Sequence, residues 1–289
     1  MHYYQTLSKA LSVVLLSIVA ASPVFAEEGA APAASVTVES KNPEIKRTAD
    51  KLDNMVVDKI DWRTATVREG VEALQGRCFD LDEEATDHPD RGVRFTLQED
   101  APPASGAPVA GKTKVTFLLR NIPMSEALRY LAWATNMKAE IGPDGVVAVL
   151  PAVAKELPGS EPVQYMGDTE HREGYAQSKK DRLSRIVIPK VEFQNATLEE
   201  AMTALHEMSI QYDAAEPDVE RRGLNLVWKA DPLVVPPRNA RITLSLKDVS
   251  LGDALDKVAA AAGLRVQVEP FAVVLLAGPV PATAIGAKP

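Results

Sequence analysis

The chain has only one cysteine, Cys78, among its 289 residues, so a disulfide within the chain is excluded. Aromatic residues make up 5% of it, and 40 acidic against 32 basic side chains give a formal net charge of −8. A nucleic acid partner requires a basic surface, so this balance argues against one. The length suits two domains of about 100 residues each, which ordinary hydrophobic cores must hold together.

Sequence motifs for catalysis or cofactor binding are also missing. No Gly-x-Ser-x-Gly elbow, phosphate-binding loop or dinucleotide fingerprint occurs. His206-Glu207 begins a zinc-protease pair, but Ile210 stands where the second histidine is required. We therefore interpret His206 as a surface histidine on an amphipathic helix, and we predict a protein that is not an enzyme and has no cofactor or metal.

The first 26 residues have the pattern of a secretory signal peptide. Lys9 precedes an apolar stretch over residues 11–21, and Ala26 ends a small-residue cleavage site. The stretch is shorter than the roughly 20 residues of a membrane span, and no later segment is apolar enough to be one. We predict a protein that is periplasmic or secreted after cleavage near Ala26, with a retained amphipathic anchor as the alternative.

The most informative feature is an internal repeat. Residues 60–74 align with residues 191–205 at a constant offset of 131, and residues 114–128 align with residues 241–255 at an offset of 127. The shared positions are helix caps, apolar residues and turn glycines, with no shared reactive side chain. A folding unit was therefore duplicated, as in a scaffold or binding protein.

Changes in hydrophobic period predict the order β-α-β-β-α-β-β in each copy. Thr66-x-x-Glu69 and Thr197-x-x-Glu200 predict capping boxes before the first helix of each copy. Pro189 interrupts one strand, which we therefore place at a sheet edge or a bulge. The fold class is α+β, with two tandem modules whose small mixed sheets pack on two helices each.

Composition divides the chain into segments. Stretches with many proline, glycine or polar residues and no hydrophobic period separate the modules and follow them. The predicted segments are a signal peptide 1–26, a flexible lead 27–50, the first module 51–151, a linker 152–181, the second module 182–277 and a disordered tail 278–289.

One recurring segment resembles a known family. It is Asn121-Ile-Pro-Met-Ser-Glu-Ala-Leu128 in the first copy and Asp248-Val-Ser-Leu-Gly-Asp-Ala-Leu255 in the second. A strand before it, then a helix and two strands after it, are similar to the STN module of secretin and TonB-receptor N-termini. The resemblance covers roughly residues 52–150 and 183–277. It implies periplasmic modules that dock protein partners and sometimes assemble side by side.

Secretins and TonB-dependent transducers continue into an outer-membrane barrel. No series of alternating ten-residue strands follows the second module in this sequence. We therefore expect no pore or receptor role.

Three remaining features have structural interpretations that we favour. An acidic cluster follows the first helix, at Asp80, Asp82, Glu83, Glu84 and Asp87. It lacks the spacing of a calcium loop, so we expect a solvated connection, with cation binding left open. Cys78 aligns with Ser209 and is expected to be a small, partly buried residue. Four aromatic residues on strands are expected in the core or on sheet faces: Trp62, Phe117, Phe193 and Trp228.

The leading hypothesis is a non-catalytic cell-envelope module that binds other proteins, as an accessory of a secretin or pilus-type secretion assembly. Partner strands can add to an open sheet edge, and we expect the closing strands 146–150 and 272–276 to provide it. The alternative is a binding module for peptidoglycan or another polysaccharide, which requires exposed aromatics such as Tyr165, Tyr175 and Tyr212. An oligomer is compatible with both.

Overall fold

The computed structural model describes residues 42–82, 91–98, 114–152, 154, 156–163, 169–228 and 240–277. The predicted signal peptide and the predicted tail lie outside these ranges. The described residues form an α+β fold, as the sequence predicts, and the order β-α-β-β-α-β-β occurs twice.

The elements of the first module are α1 (Pro43–Asn54), β1 (Val56–Thr66), α2 (Val67–Leu81), β2 (Phe95–Leu97), β3 (Lys114–Pro123), α3 (Met124–Ala134), β4 (Met137–Ile141), β5 (Val147–Pro151) and β6 (Glu161–Pro162). The elements of the second module are α4 (Thr169–Arg185), β7 (Val187–Thr197), α5 (Leu198–Tyr212), a 3-10 turn (Val219–Arg221), β8 (Leu226–Trp228), β9 (Arg241–Ser250), α6 (Leu251–Ala261), β10 (Leu264–Val268) and β11 (Val273–Ala277).

One sheet contains strands of both modules. Its five strands follow the order β1-β3-β8-β11-β10, and β8 pairs antiparallel with β3 and parallel with β11. The other sheets are four-stranded, β2-β5-β4-β6, and two-stranded, β7-β9. The two modules therefore form a continuous structure, in which β8, β11 and β10 of the second module extend the sheet that β1 and β3 form in the first.

The shared sheet separates two hydrophobic cores. Because side chains alternate between the faces of a strand, Val227 faces the core of the first module, whereas Leu226 and Trp228 face the core of the second. In the same way, Phe117 of β3 belongs to the first core and its neighbour Leu118 to the second. Each module thus supplies apolar side chains to the core of the other.

Both predicted capping boxes are present. The Thr66 hydroxyl accepts the Glu69 amide at 3.3 Å, and the Glu69 carboxylate accepts the Thr66 amide at 2.7 Å. The pair Thr197 and Glu200 repeats this arrangement, with distances of 3.2 and 2.7 Å. The start of each of these helices is therefore determined by four consecutive residues.

The predicted flexible lead 27–50 is wrong over its last part, because α1 begins at Pro43. Asn42 caps this helix by accepting the Glu44 amide at 2.9 Å, and Pro43 occupies the first turn. Its buried residues have helical spacing: Ile45, Thr48, Ala49 and Leu52. This local signal was present in the sequence, so the helix was predictable.

The predicted linker 152–181 is also wrong in part, because it contains β6 and most of α4. β6 adds to β4, and Val163 after it is buried in the first core, so the first module extends beyond residue 151. α4 is largely polar and packs on α6. At the offset of 131 residues, α4 corresponds to α1. Each module therefore begins with a helix, although the composition of these segments is typical of a connecting loop.

The family-like segment contains a backbone feature that explains its first residue. Asn121 in β3 has φ 50° and Asp248 in β9 has φ 48°, which is left-handed backbone. Asparagine and aspartate adopt this conformation more readily than other residues with a side chain. The Asn/Asp position of the repeat is therefore a requirement of strand shape.

Pro189 lies in β7, whose one strand neighbour among the described residues is β9. The prediction of an edge position for this proline is confirmed.

Candidate functional site

One strand edge of the first module is closed by the second module. Residues 116–118 of β3 pair with residues 226–228 of β8 in antiparallel register. Beyond this pairing, the Asn225 side chain accepts the Arg120 amide at 2.7 Å and donates to the Arg120 carbonyl at 3.1 Å. Asn225 also donates to the Phe271 carbonyl at 2.9 Å. The main-chain groups of this edge are thus satisfied by strand addition from another module.

A buried ion pair joins the modules beside this edge. Arg129 of α3 donates to Glu126 at 2.6 Å and lies 3.9 Å from Glu269, which follows β10. Burial opposes the charge of Arg129, but Glu126 and the other nearby charges outweigh it and raise its pKa. Every residue of α3 is buried. The ion pair with Glu269 therefore links α3 of the first module to the end of β10 in the second.

The corresponding surface of the second module is open. β9 corresponds to β3, but no strand of the described part of the chain pairs with its outer edge. Thr243 and Ser245 are exposed, whereas their counterparts Thr116 and Leu118 are buried. On α6, which corresponds to α3, three charged side chains are exposed: Asp253, Asp256 and Lys257.

Sequence differences between the copies account for this contrast. Ser245 stands where the first copy has Leu118, and Lys257 stands where it has Tyr130. These changes replace apolar interface residues by polar residues that water can solvate. The outer surface of the second module is therefore polar, and its strand edge has no strand partner within the described ranges.

The direction of these main-chain groups follows from the first module. The Arg120 amide and carbonyl point towards the second module, and alternate residues of a strand point the same way. By the repeat, the amide and carbonyl groups of Thr243, Ser245 and Lys247 point away from β7. We call residues 243–247 of β9 the open edge. Lys247 lies directly opposite Lys190 in the register, and Lys190 is paired with Glu192, which lies opposite Ser245.

The closing strands do not provide this edge, contrary to the sequence-based expectation. β5 lies between β2 and β4, and β11 lies between β8 and β10. β5 is covered by β2 and β11 is covered by β8, in parallel pairings. Each of these short covering strands follows a glycine turn. A parallel neighbour that is distant in the chain leaves no local signal, so the sequence pattern did not reveal it.

His206 is buried, so its prediction as a surface residue is wrong. Its Nδ1 lies 2.9 Å from the Leu224 carbonyl, to which it must donate because a carbonyl only accepts. Gln75 occupies the same position in the first module and donates to the Val93 carbonyl at 2.6 Å. Burial lowers the pKa of His206. This histidine therefore holds the chain at the entry to β8, as Gln75 does at the entry to β2.

The acidic cluster contains a structural aspartate. Asp82 is paired with Lys51 of α1 and accepts the Gly92 amide at 2.6 Å. The second module repeats the arrangement with Arg182 and Asp213. Burial opposes the charge of Asp82, but the hydrogen bonds from Lys51 and Gly92 outweigh it and lower the pKa. Three other members of the cluster lie outside the described residues: Glu83, Glu84 and Asp87.

Cys78 is fully buried, beyond the partial burial that the repeat alignment indicates, and burial raises the pKa of its thiol to about 12. A thiolate nucleophile at this position is therefore disfavoured. The predicted core positions of the aromatic residues are confirmed: Phe117, Phe193 and Trp228 are buried, and the partly buried Trp62 stacks on Phe117 at 5.8 Å.

Within the described ranges, no group of three or more histidine, cysteine, aspartate or glutamate residues could hold a metal ion. None of the helices in these ranges is both long and apolar enough to cross a membrane. Comparison of the chain with family models, curated proteins and solved structures found no match.

Proposed function

We propose that this chain is a non-catalytic, exported cell-envelope protein whose tandem STN-like modules bind other proteins, as an accessory of a secretin or pilus-type assembly. The observation that carries the proposal is the open edge of β9. Its counterpart on β3 is covered by a strand from a different module. The same backbone shape therefore already accepts a strand within this molecule, and main-chain hydrogen bonds supply the affinity in such pairings.

The partner is an extended segment of another protein, aligned antiparallel to β9. Side chains next to the open edge favour a polar segment, because Ser245 replaces the buried Leu118 of the internal pairing. Lys190 is already paired with Glu192, so charge complementarity favours an acidic residue of the partner next to Lys247. These lysines also disfavour unselective pairing of the edge, which is how many proteins protect exposed strands.

The polysaccharide alternative requires exposed aromatic rings in register. Tyr175 is exposed but contacts Phe271, with ring centroids 5.2 Å apart, and Tyr212 packs against the second core. Tyr165 lies outside the described residues. The two described tyrosines therefore give this alternative no support.

The experiment compares three forms of the full chain in affinity purification from cross-linked envelope extracts. Ser245→Pro removes an outward amide that the partner strand needs, while edge strands tolerate proline. Ser245→Ala removes the hydroxyl and keeps the amide, so it is the matched control. We expect a partner that the unmodified chain and Ser245→Ala recover, and that Ser245→Pro loses by about tenfold or more.

Equal recovery of the same partner by all three forms would contradict binding at the open edge. Recovery of no partner, together with sedimentation on insoluble cell wall, would favour the polysaccharide alternative.

A further inference from the structure

A cavity of about 490 Å³ lies where the second module meets the first. Its walls come from the first module at β3 and the end of α1, and from the second module at α4 and the 3-10 turn. Tyr175 and Ser178 of α4 bring two hydroxyl groups to it. This cavity is separate from the open edge of β9 and was not indicated by any sequence motif.

Basic side chains outnumber acidic ones in the lining. The basic residues are Arg120, Lys179, Arg182, Arg221 and Arg222, and the acidic residues are Asp53, Glu216 and Glu220. α4 also packs on α6, whose charged side chains are Asp253, Asp256 and Lys257. The cavity wall therefore carries an excess of positive charge in a chain that is acidic as a whole.

Three of the basic residues already have partners. Arg182 pairs with Asp213 and donates to the Arg221 carbonyl at 2.8 Å. Arg221 lies 3.3 Å from Asp218, and Arg222 donates to the Glu216 carbonyl at 2.8 Å. Their charges contribute to the electrostatic potential of the cavity, but their N–H groups largely donate to acceptors within the protein.

Two cations from different modules remain. The Arg120 Nε atom is buried and has no hydrogen-bond partner among the described residues. Within the same residues, Lys179 forms no ion pair. Its burial, together with the charge of Arg182, lowers the pKa of Lys179 to about 8. A buried donor without an acceptor is costly, so an anion that accepts a hydrogen bond from Arg120 Nε relieves this cost, and the partly buried Lys179 on the same cavity wall can pair with it.

We propose that this cavity binds a single oxyanion, a carboxylate or phosphate group, through Arg120 of the first module and Lys179 of the second. A bound anion receives hydrogen bonds from both modules at once, so it also stabilises their contact. The proposal is independent of the open edge and of the identity of its partner.

The test measures binding of sulfate to the full chain by NMR titration at constant ionic strength, with sodium chloride as the reference salt. Sulfate keeps its charge between pH 7 and pH 9, so any pH dependence belongs to the protein. Separate titrations with phosphate and acetate distinguish a phosphate from a carboxylate source. Saturable shifts at residues of the cavity wall are the expected result.

Lys179→Gln and Arg120→Gln are expected to weaken sulfate binding at least tenfold. Lys247→Gln is the matched control, because Lys247 occupies the position of Arg120 in the second module and is exposed outside the cavity. Its sulfate affinity is expected to equal that of the unmodified chain. Equal weakening by Lys247→Gln would instead indicate unspecific charge attraction and would overturn the proposal.

The pH dependence gives a second criterion. With a pKa of about 8, the protonated fraction of Lys179 falls about tenfold between pH 7 and pH 9. Sulfate affinity is expected to fall by about the same factor, and Lys179→Arg is expected to keep its affinity at pH 9 because arginine stays charged. No saturable binding at pH 7, or identical pH dependence in both proteins, would refute the assignment.

Discussion

Leu118 belongs to a strand of the first module, yet its side chain is 2% exposed and lies in the core of the second, paired with Leu226. The modules therefore depend on each other for part of their cores. The duplicated counterpart of Leu118 is Ser245, which is exposed. One repeat position thus has two opposite environments, and the residue type follows the environment.

Leu118→Ser introduces into the first module the residue that the second carries. It leaves a cavity and an unpaired hydroxyl in the second core, so we expect a loss of about 3 kcal/mol in the free energy of unfolding. Urea denaturation measures it. The exposed counterpart substitution Ser245→Leu is expected to change stability by less than about 0.5 kcal/mol. Similar effects at the two positions would contradict the shared sheet.

Asp82→Asn tests the ion pair with Lys51. Because the pKa of Asp82 is lowered in the folded state, its carboxylate stabilises the fold above the unfolded pKa of about 3.9. That stabilisation is lost as the pH falls through the lower, folded pKa. We expect Asp82→Asn to cost about 1–3 kcal/mol at pH 7 and much less near pH 2. A difference that stays constant with pH would argue against this role for the charge.

His206→Gln replaces the histidine by the residue at the matching position of the first module, Gln75. Burial holds the folded pKa of His206 below the unfolded value of about 6.5, so the unfolded chain takes up a proton first as the pH falls. The stability contributed by neutral His206 is present above pH 6.5 and is lost towards the folded pKa. We therefore expect the unmodified chain to lose up to about 1.4 kcal/mol per pH unit below 6.5 relative to His206→Gln.

This difference is obtained from urea denaturation of both proteins at a series of pH values. Contributions from other titrating groups are common to the two proteins and cancel in the comparison. Parallel stability curves would show that His206 does not titrate differently on unfolding.

Cys78 is expected to resist thiol reagents in the folded protein. Its burial keeps the thiol protonated and inaccessible at neutral pH. The rate of modification should therefore be set by opening of the structure and should rise sharply in denaturant. Rapid stoichiometric modification of the native chain would contradict the buried position. Cys78→Ser, which copies Ser209, should remain folded.

Much of the secondary structure was predictable because its signals are local. In α2 and in α5, the threonine capping box and the apolar stripe lie within about 15 consecutive residues. Both helices begin at the residue that the sequence predicts. The missed helix α1 has the same kind of signal in Asn42 and Pro43. By contrast, α4 is polar, so the pattern that identifies an amphipathic helix is weak there.

The open edge and the cavity were not predictable in the same way. Arg120 and Asn225, which close the edge of β3, are separated by 105 residues, and β8 is three residues long. Such a short strand does not reveal its partner, and a parallel neighbour leaves no turn between the strands. For the same reason, the sequence carries no local signal that β5 and β11 are paired on both sides.

The sequence by itself determined the repeated unit, the starts of its capped helices, its apolar faces and the left-handed backbone at Asn121 and Asp248, because each depends on neighbouring residues. Only the tertiary structure decided that the second module covers the first one and leaves its own corresponding edge open. That outcome depends on pairing between distant strands and on which copy of each position is buried. The same folding unit, with different residues at the contact positions, therefore forms an interior contact in the first copy and an exposed surface in the described part of the second.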